Sequence, residues 1–197
     1  MSLLPRDTLR RELRAKRRAL PAAIRIAAAE ALAARLLTLP YAPLSGPVAG
    51  YWAMDGEIAL HAWQLRLPRD CIYCLPVLHE DGRLRFAPWR AGAPLTANRF
   101  GIPEPDVPAS SLLAAEAMAL VVAPLVAFDA RGHRLGMGGG WYDRTFAFRR
   151  ERAAPPHLVG AAFAAQQVES VFPESWDMPL DALCTERDMF LFEPPAP

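Results

Sequence analysis

Apolar residues recur at helical spacing from the start of the chain. Leu9, Leu13 and Leu20 stand among arginines and a lysine, a pattern that predicts a basic helix over Thr8–Leu20. Pro21 breaks it, and Ile24, Ala28, Leu32 and Leu36 then mark the inner stripe of a second helix over Ala22–Leu39. Past a Pro-rich connection, Val48–Ala53 reads as a short strand running into Met54-Asp55-Gly56-Glu57. A helix over Leu60–Leu67 and a buried strand over Cys71–Val77 follow, and Asp81-Gly82 is a hairpin turn into Leu84–Ala87. Pro88–Pro108 scatters Pro, Gly and Asn and predicts a long irregular loop. Leu120–Phe128 is the strongest buried strand, although Pro124 interrupts it. After a glycine-dense loop, Asp129–Gly140, the pattern predicts a helix from Trp141 to Arg152 and strands over Leu158–Phe163 and Met189–Phe192. Strands alternating with helices predict an α/β sheet flanked by helices.

Composition narrows the class. The 197 residues suit one domain, 1–197, and 52% hydrophobic content supplies a core. The 22 Lys+Arg against 21 Asp+Glu leave a net charge of +1, which argues against a duplex-binding protein but leaves room for a local anion site. The first residues run straight into charge without a signal-peptide stretch, and no apolar run approaches the ~20 residues of a membrane helix. These features predict a cytoplasmic protein that binds neither membrane nor nucleic acid. Cys71, Cys74 and Cys184 are too few for a four-ligand structural zinc. Strand alternation also sends Cys71 and Cys74 to opposite faces, so they read as structural thiols. The Pro-rich tail Glu193–Pro197 reads as a frayed end, and most of the Arg10–Arg18 run as a solvated helix face.

The segment that carries chemistry is Arg134-Leu135-Gly136-Met137-Gly138-Gly139-Gly140-Trp141-Tyr142-Asp143-Arg144, with Gly132 before it placing five glycines within nine residues. It lies between a buried strand and a predicted helix. Glycines permit positive φ and leave backbone N–H groups open to phosphate oxygens, and a helix start adds its own free N–H groups. Arg134 supplies a fixed cation, and Asp143 a hard carboxylate suited to magnesium. No Gly-Lys-Ser/Thr closes the loop and no acid follows at ~20 residues, so neither familiar phosphate fingerprint fits.

This loop closely resembles the signature of 5-formyltetrahydrofolate cyclo-ligases. Four further pieces match in order: Arg6-Asp7-Thr8-Leu9-Arg10, Met54-Asp55-Gly56-Glu57-Ile58, Phe100-Gly101-Ile102-Pro103-Glu104-Pro105, and Gln167 with Pro173, Asp177, Asp181 and Thr185-Glu186. The resemblance implies a monomeric enzyme with a sheet like that of the ribose-phosphate isomerase and CoA-transferase folds, using ATP and Mg2+ to convert 5-formyltetrahydrofolate to 5,10-methenyltetrahydrofolate with release of ADP and phosphate. It implies that Arg6, Arg10 and the run Arg134, Leu135, Gly136, Met137, Gly138, Gly139, Gly140, Trp141 and Tyr142 hold ATP. By the same resemblance Asp143 and Asp177 hold the metal, Trp52 and Glu57 meet the folate, and Arg134, Tyr142 and Asp143 are catalytic. Arg6 stands where relatives commonly have lysine, Trp141 where tyrosine is usual, and Gly139 where some have lysine. A non-catalytic folate- or nucleotide-binding relative is the alternative from another class. RNA binding by the basic helix is a third, opposed by the even net charge.

Overall fold

The computed structural model describes residues 6–192; the Pro-rich tail lies outside them. Among these residues four α-helices are formed: α1 (Arg6–Arg18), α2 (Ala22–Leu37), α3 (His61–Arg66) and α4 (Trp141–Thr145). The strands are β1 (Ser45–Ala49), β2 (Asp70–Leu78), β3 (Leu84–Pro88), β4 (Leu95–Ala97), β5 (Pro103–Pro105), β6 (Leu120–Pro124), β7 (Ala127–Phe128), β8 (Arg134–Leu135), β9 (His157–Ala161), β10 (Ala182–Cys184) and β11 (Met189–Leu191). Seven of them make one mixed sheet in the order β11-β10-β9-β6-β1-β2-β3, while β4–β5 and β7–β8 are separate two-stranded ribbons. The five central strands run parallel, and β3 and β11 close the two edges antiparallel.

Parallel strands need both faces covered, and the period-2 alternation supplies two apolar faces. Register aligns Tyr73, Val48 and Leu120 across β2, β1 and β6, with Cys74, Ala49 and Val121 one residue on. The first row packs with Leu32 and Leu36 of α2 and Trp63 of α3. The second packs with Phe86, Phe128, Phe146 and Leu183. Along the chain, β1 connects to β2 on one side of it, while β6 lies on its other side and leads on to β9 and β10. That reversal is a topological switch point, where a crevice opens beyond the carboxyl ends of the strands. Here the crevice lies past Ala49 of β1 and Pro124 of β6.

Several predicted elements are corrected. The first strand is Ser45–Ala49 and not Val48–Ala53, and Ile24 is exposed, so the inner stripe of α2 begins at Ala28. Pro88–Pro108 is not wholly irregular, since it folds β4 onto β5. The predicted helix Trp141–Arg152 stops as α-helix at Thr145, whose hydroxyl donates to Trp141 O at 2.6 Å and accepts from Leu84 N at 2.7 Å; a 3-10 turn over Ala147–Arg150 follows. Among the described residues no helix is long and apolar enough to cross a membrane.

Candidate active site

A cavity of about 610 Å³ opens at the switch point, with Tyr51 and Trp52 following β1 on its wall and Pro124 and Leu125 ending β6. Its size is ordinary for a small-molecule site. Every site residue expected from the sequence lines it except Leu135. Leu135 is fully buried and packs with Leu9, Leu13, Val126 and Val171. Its side chain therefore fastens the ribbon β7–β8 to α1 and does not face the cavity.

The glycine loop leaves β8 and enters α4. Gly138 has φ +97° and Gly140 φ +65°, conformations that strain other residues. A Cβ on Gly140 would lie 2.6 Å from Arg144 Nη1, and one on Gly138 would lie 3.6 Å from Arg10 Cζ. The loop is thus a cradle that side chains would fill. Arg10 reaches it from α1 and donates from Nε to Gly136 O at 2.9 Å. With α4 only five residues long, backbone N–H groups and arginines outweigh any helix dipole here.

Two arginine–aspartate pairs line the same cavity. Arg134 Nη2 donates to Asp143 Oδ1 at 2.6 Å, its Nη1 donates to Met178 O, and Met178 N–H donates to the same Oδ1 at 3.0 Å. Arg6 Nη1 lies 3.0 Å from Asp177 Oδ2, which also accepts from Glu174 N–H at 2.9 Å. Arg134, expected to meet ATP, and Asp143, expected to meet the metal, are thus paired with each other. Each aspartate keeps a second oxygen without a hydrogen bond among the described residues. A magnesium ion favours one or two carboxylates together with substrate phosphates, and these two oxygens beside a glycine cradle fit that demand. No cluster of three potential metal ligands occurs among the described residues, so phosphate oxygens and water would have to complete the shell.

Glu57, which lines the same cavity, is held by Met54 N–H, which donates to Oε2 at 3.0 Å, and by Arg17 Nη2, 3.5 Å from Oε1. Burial pushes the Glu57 carboxyl above its ordinary value, while the Met54 amide and the Arg17 and Arg14 guanidiniums pull the other way. Burial likewise pushes the Tyr51 and Tyr142 phenols up, and nearby Glu57 adds to both. Both phenols therefore stay neutral donors at ordinary pH. Trp52 meets Trp89 edge-on at 5.6 Å.

The sequence reading missed the arginines that dock α1. Arg14 and Arg17 bind Asp55 Oδ2 at 2.7 and 3.0 Å, and Arg18 binds Oδ1 at 3.1 Å. Burial alone would raise the Asp55 carboxyl, but hydrogen bonds from Arg14 and Arg17 bring it below its ordinary value. Only part of the Arg10–Arg18 run is solvated, because Arg17 is 1% exposed. A signal was present: Leu9, Leu13 and Arg17 fall four apart, on one helix face. Phe100, Met137 and Trp176 also line the cavity while remaining more than half exposed, and Trp176 had no sequence signal.

The 5-formyltetrahydrofolate cyclo-ligase family profile matches residues 5–186. The chain is 36% identical to the 5-formyltetrahydrofolate cyclo-ligase of Haemophilus influenzae over 184 residues, 91% of this chain and 97% of that protein. It is also 36% identical to the Escherichia coli K12 enzyme of that name, over 88% of this chain and 96% of the other. The structure is similar to that of Aquifex aeolicus 5,10-methenyltetrahydrofolate synthetase, with a TM-score of 0.81 and 28% identity over 98% of this chain and 96% of that one. At 17% identity, a Mycoplasma pneumoniae 5,10-methenyltetrahydrofolate synthetase shares the fold, with a TM-score of 0.70 over 93% of this chain and 99% of that one.

Proposed function

The chain belongs to the 5-formyltetrahydrofolate cyclo-ligase family, and from that premise we propose that it uses ATP to close the ring of 5-formyltetrahydrofolate, giving 5,10-methenyltetrahydrofolate, ADP and phosphate. The formyl oxygen attacks the γ-phosphorus and ADP leaves. N10 then attacks the activated carbon, loses its proton, and phosphate departs as the C–N bond forms. No side-chain nucleophile is needed, so the protein's work is positioning and charge compensation. Gly136–Gly140 with Arg10 and Arg6 would hold the phosphates, and Trp52 and Glu57 would meet the folate. Arg134 would hold Asp143 in place, Tyr142 would donate from a neutral hydroxyl, and Asp143 and Asp177 would be the metal carboxylates. Magnesium would neutralise phosphate charge there. We read residues 1–197 as one such domain, acting as a monomer in the cytoplasm, with a sheet of the ribose-phosphate isomerase and CoA-transferase class.

The observation that carries this reading is that one cavity is lined both by a glycine cradle with two Arg–Asp pairs and by a mostly buried carboxylate with aromatic side chains. A non-catalytic relative would have no need to keep both pairs beside the cradle. The test is the near-ultraviolet band of the methenyl product, followed with ATP and magnesium each present or withheld. Turnover is expected only with both, and undiminished turnover without ATP would sink the proposal.

A further inference from the structure

Arg17 does more than fasten α1. Its Nε donates to Asp55 O at 2.9 Å, its Nη1 to Leu125 O at 3.1 Å, and its Nη2 to Asp55 Oδ2 at 3.0 Å. That same Nη2 faces Glu57 Oε1 at 3.5 Å. Asp55 alone would neutralise the buried guanidinium, yet Asp55 is shared with Arg14 and Arg18, and a second carboxylate is brought to Arg17. A network built only for docking would not need Glu57. Backbone geometry serves the same end: Asp55 has φ 52° and Gly56 φ 76°, so two left-handed residues in succession turn Glu57 back toward the helix.

We propose that Arg17 is a positioning residue for Glu57: anchored by Asp55 and the Leu125 carbonyl, its guanidinium orients the Glu57 carboxylate in the cavity and balances its charge. This rests on the reading of Glu57 as a folate contact. The charged and titratable groups facing Glu57 are Arg14 and Arg17 from α1, Asp55 from its own loop, Tyr51 after β1 and Tyr142 of α4. Arg17 favours the ionised carboxylate and Asp55 opposes it.

That opposition gives the test. Ligand-free protein carrying 13C-carboxyl glutamate is titrated by NMR, with the Glu57 signal assigned from the spectrum of Glu57→Gln. Arg17→Gln removes the cation and moves the Glu57 midpoint up. Asp55→Asn keeps a residue tolerant of the left-handed backbone, removes the neighbouring anion, and moves the midpoint down. The acid limb of kcat/KM for 5-formyltetrahydrofolate shifts in the same two senses. Midpoints that move together, or stay still while the constants for both substrates rise alike, overturn the proposal by showing a docking role alone. If Arg17→Gln fails to fold, Arg17→Met takes its place, filling the buried space without a charge: an upward Glu57 midpoint supports charge balance, and an unmoved one overturns it. The titration uses neither ATP nor folate, so its outcome is separate from whether the unmodified protein turns over.

Discussion

At the residue scale the pairing of Arg134 with Asp143 changes what a substitution there would do. Oδ1 of the carboxylate holds Arg134 and Met178 N–H, and in the proposed reading Oδ2 would meet the magnesium ion. Asp143→Asn can keep an oxygen at the first position while placing an NH2 group, a poor magnesium ligand, at the second. Activity should fall at least ~100-fold, the scale of losing one electrostatic partner at a transition state. The fold should survive with a loss of ~1–3 kcal/mol, because the buried Arg134 keeps a hydrogen bond and loses its counter-charge. Steady-state rates across a magnesium titration, with thermal unfolding alongside, check both parts. Near-parental activity at low magnesium would remove Asp143 from the metal site.

At the scale of elements, the sequence was most legible where one element carried its own pattern. β6 announces itself because burial on both faces demands an unbroken apolar run, β2 because Tyr73–Leu75 are buried within a longer apolar run, and α1 and α2 because Pro21 separates two helical stripes. β10 went unseen: its three residues have no local signal, and pairing with β9 and β11 makes them a strand. The glycine loop was legible for the opposite reason, since its chemistry is contiguous. Its partners are not, because Arg10 reaches Gly136 across 126 positions and Arg6 reaches Phe172 across 166. Family resemblance pointed to those arginines; spacing did not. One element contact invites a test. Gly50 follows β1 at the mouth of the crevice, and a Cβ there would lie 2.2 Å from Tyr73 Oη and 2.7 Å from its Cζ. Tyr73 is 9% exposed and packs edge-on against Trp63 at 5.9 Å, so its ring has little room to yield. Gly50→Ala should cost ~1–3 kcal/mol by overpacking. Adding Tyr73→Phe should recover part of this, because the hydroxyl contact goes and the ring contact stays. Urea denaturation of the two single variants and the double measures the coupling, and an unaltered Gly50→Ala would show that the strand end gives way freely.

The whole molecule is a sheet with two apolar faces, and the cysteines report on both. Cys74 belongs to the face packed by Phe86 and Phe146, whereas Cys184 belongs to the face packed by α2 and α3. Cys71 also sits against the α2–α3 face, as the alternation in β2 required, so Cys71 and Cys74 cannot share a metal. Burial pushes the Cys74 and Cys184 thiols from 9.0 up to about 12, with Arg35 pulling slightly the other way at Cys184. A group whose folded value is raised contributes fully below its unfolded value, and the contribution is lost as pH rises toward the folded value. Stability should therefore hold to about pH 9 and then decline toward pH 12, with each thiol adding a slope on the order of 1 kcal/mol per pH unit. Buried tyrosines such as Tyr51, Tyr73 and Tyr142 act in the same sense once the unfolded phenols ionise near 10.0, so the thiol window is cleanest between pH 9 and 10. The double variant Cys74→Ala, Cys184→Ala will be weaker at neutral pH because it opens space in both cores. Slopes are therefore compared, not absolute values. Urea midpoints measured under reducing conditions from pH 8 to pH 10.5 should fall more steeply for the parent than for the double variant. Equal slopes would mean that the two thiols ionise as readily in the folded protein as in the unfolded chain, and that neither face of the sheet excludes their charge.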